Sequence, residues 1–383
     1  MKHTRAVRGM LGLGVLAAAL AAGCGPTSKR LRQEIRDRGA GVHLSDVPFV
    51  RQRRHWCGPA ALASVAQHCR LGLTQEQIAG EVYLASIRAT LTTDLAACAF
   101  RHGLWAHAGK GSPEEVCRWL DRGLPVVALL ENGGALGRRL HYVVVTGYHR
   151  PRRMFIAHTG HLSNRPIPFD RFAREHAAAG GFMLVACRPE RVSWPLTADG
   201  QNRLGLLFER EGKLERARDA YVRAIAADGS RHLYHFNLAN TLAAMGKQEA
   251  ALAAYRQAIR LCPESADAHN NLADLLLAMG RRNLAYSEAR RAVRIDGPRV
   301  AYYYDTLGRT LLALERYGDA ADAFRGAVEH GGKFPGVIAD ARLGLIDALV
   351  RSGERSAAVA EKQRLLASST DPGLRRRLDK ILR

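Results

Sequence analysis

The chain has 383 residues and carries 57 lysines and arginines against 36 aspartates and glutamates, which gives a net charge of +21. The excess is larger in the first 198 residues (27 basic, 13 acidic) than in the rest (30 basic, 23 acidic). A basic surface is typical of nucleic-acid binding. The predicted export signal argues against that class, so we expect attraction to an anionic membrane surface instead.

The first 23 residues are predicted to be an export signal. A basic start precedes an apolar run at residues 10–22, which is shorter than the ~20 residues that a membrane-spanning helix needs. Small residues then lead to Cys24, as in a bacterial lipoprotein signal, so we expect Cys24 to become the lipidated N-terminus. The alternative is an ordinary cleaved signal with an incidental cysteine. Gly25 is not the aspartate that often retains lipoproteins at the inner membrane, which favours a periplasm-facing place on the outer membrane.

A basic linker is predicted at residues 24–41, and a single folded domain at residues 42–195. Helical and extended patterns alternate there, in the order of a papain-like α+β fold. Helices are predicted at residues 57–68, 74–84, 91–102, 113–121 and 169–178, strands at 125–130, 141–148, 154–158 and 182–187, and a short strand or loop at 47–50.

Three residues of this domain have the types and the order that a thiol hydrolase needs. Cys57 opens a helix, where the helix dipole and unpaired backbone N–H groups favour a thiolate. Gly58 keeps the thiol uncrowded, and Gln52, five residues before Cys57, can donate its side-chain amide to an oxyanion. His141 enters an apolar strand and can serve as the base. Each residue also has a non-catalytic interpretation: Cys57 as a buried thiol, Gln52 as a solvated loop residue and His141 as a structural histidine.

A family resemblance rests on two segments, VPFVRQRRHWCGPAALASVAQHC and LHYVVVTGY. They resemble the bacteriocin-processing cysteine peptidases that remove double-glycine leaders, and especially their stand-alone secreted relatives with C-terminal tetratricopeptide repeats. The resemblance covers most of residues 42–190. It implies a papain-like fold in which Cys57 is the nucleophile, His141 the base and Gln52 the oxyanion donor.

The chain departs from that family at the residue that orients the catalytic histidine. The family has an aspartate on the strand after the histidine, whereas this chain has His158 there. A neutral histidine supplies no negative charge to stabilise an imidazolium. We therefore expect that His158 orients His141 poorly, that Asn164 or Asp170 replaces it, or that activity is low. The sequence also lacks the cassette and membrane helices of exporters, so a double-glycine leader substrate does not follow.

The chain has 7 cysteines. Setting aside Cys24 for lipid and Cys57 for chemistry leaves an odd number, so at least one stays unpaired in an oxidising compartment. All of these have apolar neighbours, which favours buried free thiols over a disulfide framework. They are Cys69, Cys98, Cys117, Cys187 and Cys262. No cysteine or histidine spacing indicates a metal site, and we predict neither metal nor cofactor.

Residues 199–383 are predicted to be a helical repeat domain. Leu204, Leu238 and Leu272 recur at a spacing of 34, and Leu307 follows after one extra residue. This period resembles the tetratricopeptide repeat, and three or more such units share a continuous core. We predict four clear repeats, a degenerate fifth between Leu343 and Ala358, and a capping helix near residues 374–382.

Such arrays bind peptides on a concave face, where a protein partner or substrate is expected. The residues predicted to lie on that face are Asn240, Asn270, Asn271, Asp274, Tyr302, Asp305 and Arg309. The alternative is an ordinary solvated helix face.

The sequence as a whole favours a lipid-anchored cysteine peptidase of the cell envelope that cleaves a protein or peptide recruited by its repeats. Two alternatives stay open. One is a degenerate peptidase fold that serves as a binding scaffold. The other is a related thiol amidase or transferase acting on cell-wall peptides, since this fold supports several acyl transfers.

Overall fold

The computed structural model describes residues 27–134, 137–332 and 334–367, together with Leu378. The predicted signal at residues 1–23 and the predicted lipidation site Cys24 lie outside these residues. The chain divides into two compact units, with the boundary between Trp194 and Pro195. Within the described part, every helix is too short or too polar to span a bilayer.

The first unit combines helices with an antiparallel sheet. Its helices are α1 Ser28–Arg38, α2 Cys57–His68, α3 Gln75–Val82, α4 Thr92–Arg101, α5 Pro113–Asp121 and α6 Phe169–Ala178. Its strands are β1 Gly41–His43, β2 Tyr83–Leu84, β3 Ala89–Thr90, β4 Trp105–Lys110, β5 Val126–Gly134, β6 Gly137–His149, β7 Met154–Thr159, β8 Leu162–Pro168 and β9 Phe182–Cys187.

The main sheet has seven strands in the order β4-β9-β5-β6-β7-β8, with β1 paired to β6, and β2 and β3 form a separate hairpin. Helix α2 lies against this sheet, and every residue from Gly58 to Ala66 is buried. Its Ala63 and Val65 share a core with Val127 and Val144 of the sheet. A helix that is apolar on all sides is buried on all sides. The sheet therefore fixes the position of Cys57 at the start of α2.

The linker predicted at residues 24–41 is wrong from residue 28 onward, because α1 and β1 are part of the fold. Leu31 and Ile35 of α1 are buried against Ile156. The carboxylate of Glu34 bonds to Arg152 at 2.7 Å, which fastens the helix to the sheet. Only two apolar residues, one turn apart, mark this helix in the sequence. Two apolar residues among basic ones give too little periodicity to predict a helix.

Besides β1, two further strands of the main sheet were not predicted, β4 and β8. Along β4 only Trp105 and Ala106 are buried. Strand β8 lies at the sheet edge and buries only Ile167. Its two prolines, Pro166 and Pro168, are tolerated because an edge strand can leave N–H positions without a partner. Both strands thus lack the alternation that predicts a strand. The segment at residues 47–50 is a loop.

The second unit consists of helices that pack in consecutive antiparallel pairs. They are α7 Ala198–Arg210, α8 Leu214–Ala227, α9 His232–Ala244, α10 Gln248–Leu261, α11 Ala266–Ala278, α12 Arg282–Ile295, α13 Val300–Ala313, α14 Tyr317–His330, α15 Pro335–Arg351 and α16 Arg355–Ala367. Five pairs correspond to the four predicted repeats and the degenerate fifth. The predicted capping helix lies outside the described residues except for Leu378, which is buried. The predicted fold class, an α+β unit followed by an all-α repeat array, is confirmed.

Small residues at helix crossings let aromatic rings of the partner helix pack closely. A Cβ built on Gly205 would lie 2.5 Å from the ring of Tyr221. The ring of Phe324 fits between two glycines in the same way. A Cβ on Gly308 would lie 2.7 Å from this ring and one on Gly344 would lie 2.4 Å from it. Gly205, Gly308 and Gly344 therefore mark close helix crossings.

Replacing one of these glycines tests that packing. We expect Gly308→Ala to lower the free energy of unfolding by about 1–2 kcal/mol, because crowding of Phe324 outweighs the gain in helix propensity. The control is Gly318→Ala in α14, where a Cβ meets no atom within 4 Å. It should leave stability unchanged or raise it. Thermal unfolding followed by circular dichroism measures both, and an unchanged midpoint for Gly308→Ala would contradict the close crossing.

Candidate functional site

The loop that leads to Cys57 is held by local contacts on both sides. His55 has a φ of 67°, which turns the chain sharply just before the helix. The Trp56 ring stands edge-on to Tyr83, with ring centroids 6.1 Å apart. A Cβ on Gly58 would lie 3.1 Å from the Thr90 side chain, so the missing side chain lets the β2–β3 hairpin approach. The thiol thus starts α2 from a fixed loop.

Gln52 and His141 meet at Gly160, in the turn between β7 and β8. The Gln52 backbone N–H donates to the Gly160 carbonyl at 2.9 Å. A Cβ on Gly160 would lie 2.5 Å from Gln52 Oε1 and 3.0 Å from His141 Cε1. Gly160 also has a φ of 60°, where a side chain is strained. This position therefore requires glycine for two independent reasons.

Cys57, Gln52 and His141 line one open cleft with a volume of about 910 Å³. The structure thus brings together the three residues that the sequence analysis assigns to chemistry. No direct hydrogen bond joins Cys57 Sγ to the His141 imidazole among the described residues. Catalytic hydrogen bonds often shorten only in the complex with substrate, so this separation is compatible with catalysis.

Two opposing effects act on the Cys57 thiol. Burial raises its pKa, because a thiolate loses hydration in the protein interior. The backbone N–H groups of Tyr142 and Gly58 act in the opposite direction by donating to the sulfur. Burial dominates, so the pKa of Cys57 lies above its ordinary value. Strand β6 therefore supplies both the neighbouring imidazole and a donor to the sulfur.

The His141 imidazole is held in its neutral form. Burial lowers its pKa, and the positive charges of His161 and Arg165 lower it further. A raised thiol pKa and a lowered imidazole pKa both oppose proton transfer from Cys57 to His141 in the resting site. The site therefore rests as a thiol and a neutral imidazole near pH 7 rather than as an ion pair.

The prediction that His158 orients His141 is corrected by the contacts of His158. Its Nε2 lies 3.1 Å from the Val47 carbonyl. Its Nδ1 accepts from the backbone N–H of Asn164 at 3.2 Å. Both ring nitrogens are therefore used by backbone groups, and the buried ring has a lowered pKa because of desolvation. His158 ties the loop before Cys57 to the β7–β8 hairpin.

The two substitutes considered for His158 are also engaged elsewhere. The Asn164 side chain bonds to His43 at 3.2 Å. Asp170 forms an exposed ion pair with Arg153 at 2.8 Å. Across the described residues, no side chain hydrogen-bonds to the His141 imidazole. The third member of a triad is missing from this part of the chain.

Sequence reasoning missed Gly160 and the Tyr142 N–H. Gly160 lies two residues after a predicted strand, and a glycine in that place indicates a turn. Its contact with Gln52 joins segments about a hundred residues apart, which no local pattern reports. The Tyr142 donor is a backbone group, so residue type gives no sign of it.

On the repeat domain, several predicted partner-binding residues bond to each other. Tyr255 donates its hydroxyl to Asn240 Oδ1 at 2.6 Å. Asn271 donates to the same oxygen at 3.0 Å. Asn270 is buried, with 7% exposure, so its prediction as a surface contact is wrong. Its amide bonds to Asn271 inside the array.

The remaining predicted residues form a charged bridge and a ring contact. Arg309 lies between Asp274 and Asp305, at 2.9 Å from each carboxylate. Burial raises the pKa of both carboxyl groups, and the Arg309 charge partly offsets that rise. Tyr302 packs edge-on against Phe334, with centroids 5.2 Å apart. These groups already have partners, so a ligand on this face would compete with existing bonds.

One cluster in the described residues has the donor types of a metal site. Potential ligand atoms of Glu81, Cys98 and His102 lie within 4.8 Å of one another. Arg101, however, donates to Glu81 Oε2 at 2.8 Å. A cation already neutralises the carboxylate, so we interpret the cluster as an ion-pair network. Cys98 and His102 lie one helical turn apart, but Glu81 joins them through packing that spacing does not reveal.

Comparisons with known families agree with the two-unit architecture. A model of the peptidase C39-like family matches residues 44–178. Tetratricopeptide-repeat models match residues 190–232, 239–280, 266–298 and 306–372. No curated protein matches the chain. The chain thus contains a peptidase C39-like domain followed by tetratricopeptide repeats.

Several solved repeat proteins are similar to about half of the chain. YrrB, described as a repeat protein with an unusual peptide-binding site, is 20% identical with a TM-score of 0.41, and the match covers 48% of this chain and 92% of YrrB. PilF of Pseudomonas aeruginosa is 23% identical with a TM-score of 0.42, covering 48% and 83%. MamA of Desulfovibrio magneticus is 17% identical with a TM-score of 0.41, covering 45% and 97%.

The resting protonation state can be tested by alkylation. Because the pKa of Cys57 is raised, we expect its labelling by iodoacetamide to be slow near pH 6 and to keep rising through about pH 9. His141→Ala should change the rate by less than about twofold. Mass spectrometry of the Cys57 peptide measures the rate, and the Cys262 peptide serves as the internal reference. A fast rate that persists below neutral pH and is lost in His141→Ala would contradict the neutral pair.

Proposed function

We propose that the first unit is a cysteine peptidase that hydrolyses peptide bonds through Cys57 and His141. The observation that carries this proposal is the convergence of Cys57, His141 and Gln52 on one cleft, around a glycine that admits no side chain. The match to the peptidase C39-like family over residues 44–178 supports the same reaction class. Residues from four separate segments meet there, which packing alone does not require.

The chemistry follows from the neutral resting pair. Cys57 Sγ attacks the substrate carbonyl while His141 takes the thiol proton, so the imidazole becomes positive as the carbonyl oxygen becomes negative. His141 then returns that proton to the leaving amine, and a thioester with Cys57 remains. Water, deprotonated by His141, attacks the thioester and releases the acid product, and the thiol regains its proton.

Gln52 is proposed to stabilise the oxyanion of both tetrahedral intermediates, together with the Cys57 backbone N–H. The Gln52 Oε1 atom is buried without a hydrogen-bond partner. The Nε2 group is therefore the end of the amide left for the cleft, and it makes no hydrogen bond to the described residues. A donor aimed at the developing charge is the arrangement that lowers the barrier to acyl transfer.

We further propose that Cys24 carries lipid, that the protein faces the periplasm from the outer membrane, and that the repeats recruit a protein substrate or partner. The support for the anchor is the sequence of the first 24 residues. The support for recruitment is the repeat fold, whose helix pairs present peptide-binding surfaces in many proteins. No leader-peptide specificity is part of this proposal.

A catalytically inactive scaffold is the second candidate. It is favoured by the absence of an orienting group on His141 among the described residues and by the raised pKa of Cys57. Loss of the orienting carboxylate costs a Ser-His-Asp enzyme about 10⁴-fold in turnover. A thiol is a stronger nucleophile than a hydroxyl, so a cysteine enzyme tolerates that loss better.

Cleavage of a mixed peptide library, followed by mass spectrometry, separates the two candidates. We expect the wild-type protein to cleave and Cys57→Ala to lose all detectable turnover. Gln52→Ala should lose about 10²–10³ in turnover, as expected for one oxyanion donor. The matched control is Cys262→Ala, because Cys262 is also a half-exposed free thiol but lies in the repeat domain. No cleavage by the wild-type protein under any condition would favour the scaffold.

The role of Gly160 gives a sharper test with its own control. Gly160→Ala should lower kcat/KM by about 10²-fold, because the new methyl group displaces Gln52 and His141. Gly180 has a φ of 81° but no atom within 4 Å of a built Cβ. Gly180→Ala therefore carries the same backbone strain without the steric conflict. Equal activity losses in both variants would show that strain, and not displacement of the site, is responsible.

A further inference from the structure

Large apolar side chains that remain exposed on the first unit gather around the catalytic cleft. In the described residues of this unit they are Leu84, Ile87, Leu91, Leu140 and Leu162. Leu91, Leu140 and Leu162 line the cleft, with exposures of 46%, 58% and 56%. Leu84 and Ile87 belong to the β2–β3 hairpin beside them. Clustered exposed apolar surface is typical of a binding site.

The three cleft leucines lie on three segments, the end of the β2–β3 hairpin, β6 and β8, which we call the walls of the cleft. Each wall also carries an arginine. Arg88 lies on the β2–β3 hairpin that precedes Leu91, Arg139 precedes Leu140 on β6, and Arg165 follows Leu162 on β8. All three are exposed, and none forms an ion pair with a carboxylate of the described residues. Each wall thus presents one leucine and one unpaired guanidinium.

The cleft contains little negative charge to balance these cations. Glu175 is the one carboxylate among its described lining residues, and it is bound to Arg171 at 2.7 Å. Elsewhere on the first unit many arginines are ion-paired to carboxylates. They include Arg30, Arg53, Arg101, Arg118, Arg150, Arg152 and Arg153. Among the described residues, unpaired arginines such as Arg38 and Arg70 also occur outside the cleft. The cleft arginines are distinguished instead by lying together in one cleft, each close in sequence to an exposed leucine.

We propose that the cleft selects an anionic peptide in which acidic side chains alternate with large apolar ones. This inference rests on the proposed function and names its substrate class. Guanidinium groups bind carboxylates in a matched planar geometry, and the adjacent leucines cover apolar side chains of the same segment. A leucine beside an arginine on each wall fits a chain that presents both kinds of side chain along its length. A lipid headgroup would match the arginines but leave the three leucines at different walls without a common partner.

Binding is measured apart from cleavage, so that the two proposals fail separately. The full chain carrying Cys57→Ala, in mild detergent, is titrated into fluorescein-labelled decapeptides, and anisotropy is recorded. Three peptides are compared: alternating Leu and Glu, alternating Leu and Lys, and alternating Gln and Glu. We expect the Leu/Glu peptide to bind at least about tenfold more tightly than either of the others. The ratio of the dissociation constants of the Leu/Lys and Leu/Glu peptides should fall as the salt concentration is raised, since salt screens exposed ion pairs.

A triple variant locates the effect. Replacing Arg88, Arg139 and Arg165 by glutamine should weaken Leu/Glu binding by about tenfold, as expected for three partly exposed ion pairs. The matched control replaces Arg38, Arg70 and Lys110 by glutamine. These are exposed cations outside the cleft, so the net charge changes equally. The control should bind within about twofold of the parent.

Each outcome decides the proposal. Equal binding of the three peptides, or equal losses in both triple variants, would overturn it. Displacement by dihexanoyl phosphatidylglycerol without discrimination among peptides would overturn it in favour of a lipid headgroup. Cleavage by the wild-type protein without a preference for charge would support the peptidase proposal and contradict the proposed substrate class. Selective binding that depends on the three arginines, without cleavage by the wild-type protein, would support the proposed ligand class and contradict the peptidase proposal.

Discussion

The site depends on one close approach, that of the β7–β8 turn to the loop that carries Gln52. The backbone bond from Gln52 to the Gly160 carbonyl holds the two segments at 2.9 Å, and the absent side chain of Gly160 leaves room for His141. His158 fastens the same pair of segments again through Val47 and Asn164. Helix α2, buried from Gly58 to Ala66, places Cys57 beside Tyr142 of β6. Without this approach the Gln52 side chain would not be held beside His141.

Electrostatics at the site favour neutral groups. Burial and the nearby positive charges of His161 and Arg165 disfavour an imidazolium, and burial disfavours a thiolate. In the proposed peptidase reaction, proton transfer therefore accompanies attack instead of preceding it. His161 and Arg165, which lower the pKa of His141, also line the cleft. An acidic substrate would place negative charge next to His141 and raise its pKa, so substrate charge and base strength are coupled through these few side chains.

Much of the fold follows from residue patterns. Helix 57–68, helix 113–121, helix 169–178 and strand 182–187 are confirmed at their predicted bounds. Ser112 caps helix 113–121, and continuous apolar runs mark helix 57–68 and strand 182–187. The repeat array is predicted by the 34-residue period of its leucines. Patterns failed where burial is one-sided or sparse, as in α1, β4 and β8. At the site, residue types indicated Cys57, Gln52 and His141. They could not indicate that His158 points its nitrogens at backbone groups, because that depends on contacts between distant segments.

The complete burial of α2 bears on how sequence similarity in this region should be interpreted. Every side chain from Gly58 to Ala66 packs into the core, so natural selection for stability alone preserves the segment that follows the nucleophile. A homologue that had lost Cys57 or His141 would keep this helix and would still be recognised by it. Similarity along α2 therefore traces ancestry and folding. Side chains that line the cleft, such as Gln52, Arg139 and Arg165, are the ones whose variation among homologues would trace a change of activity.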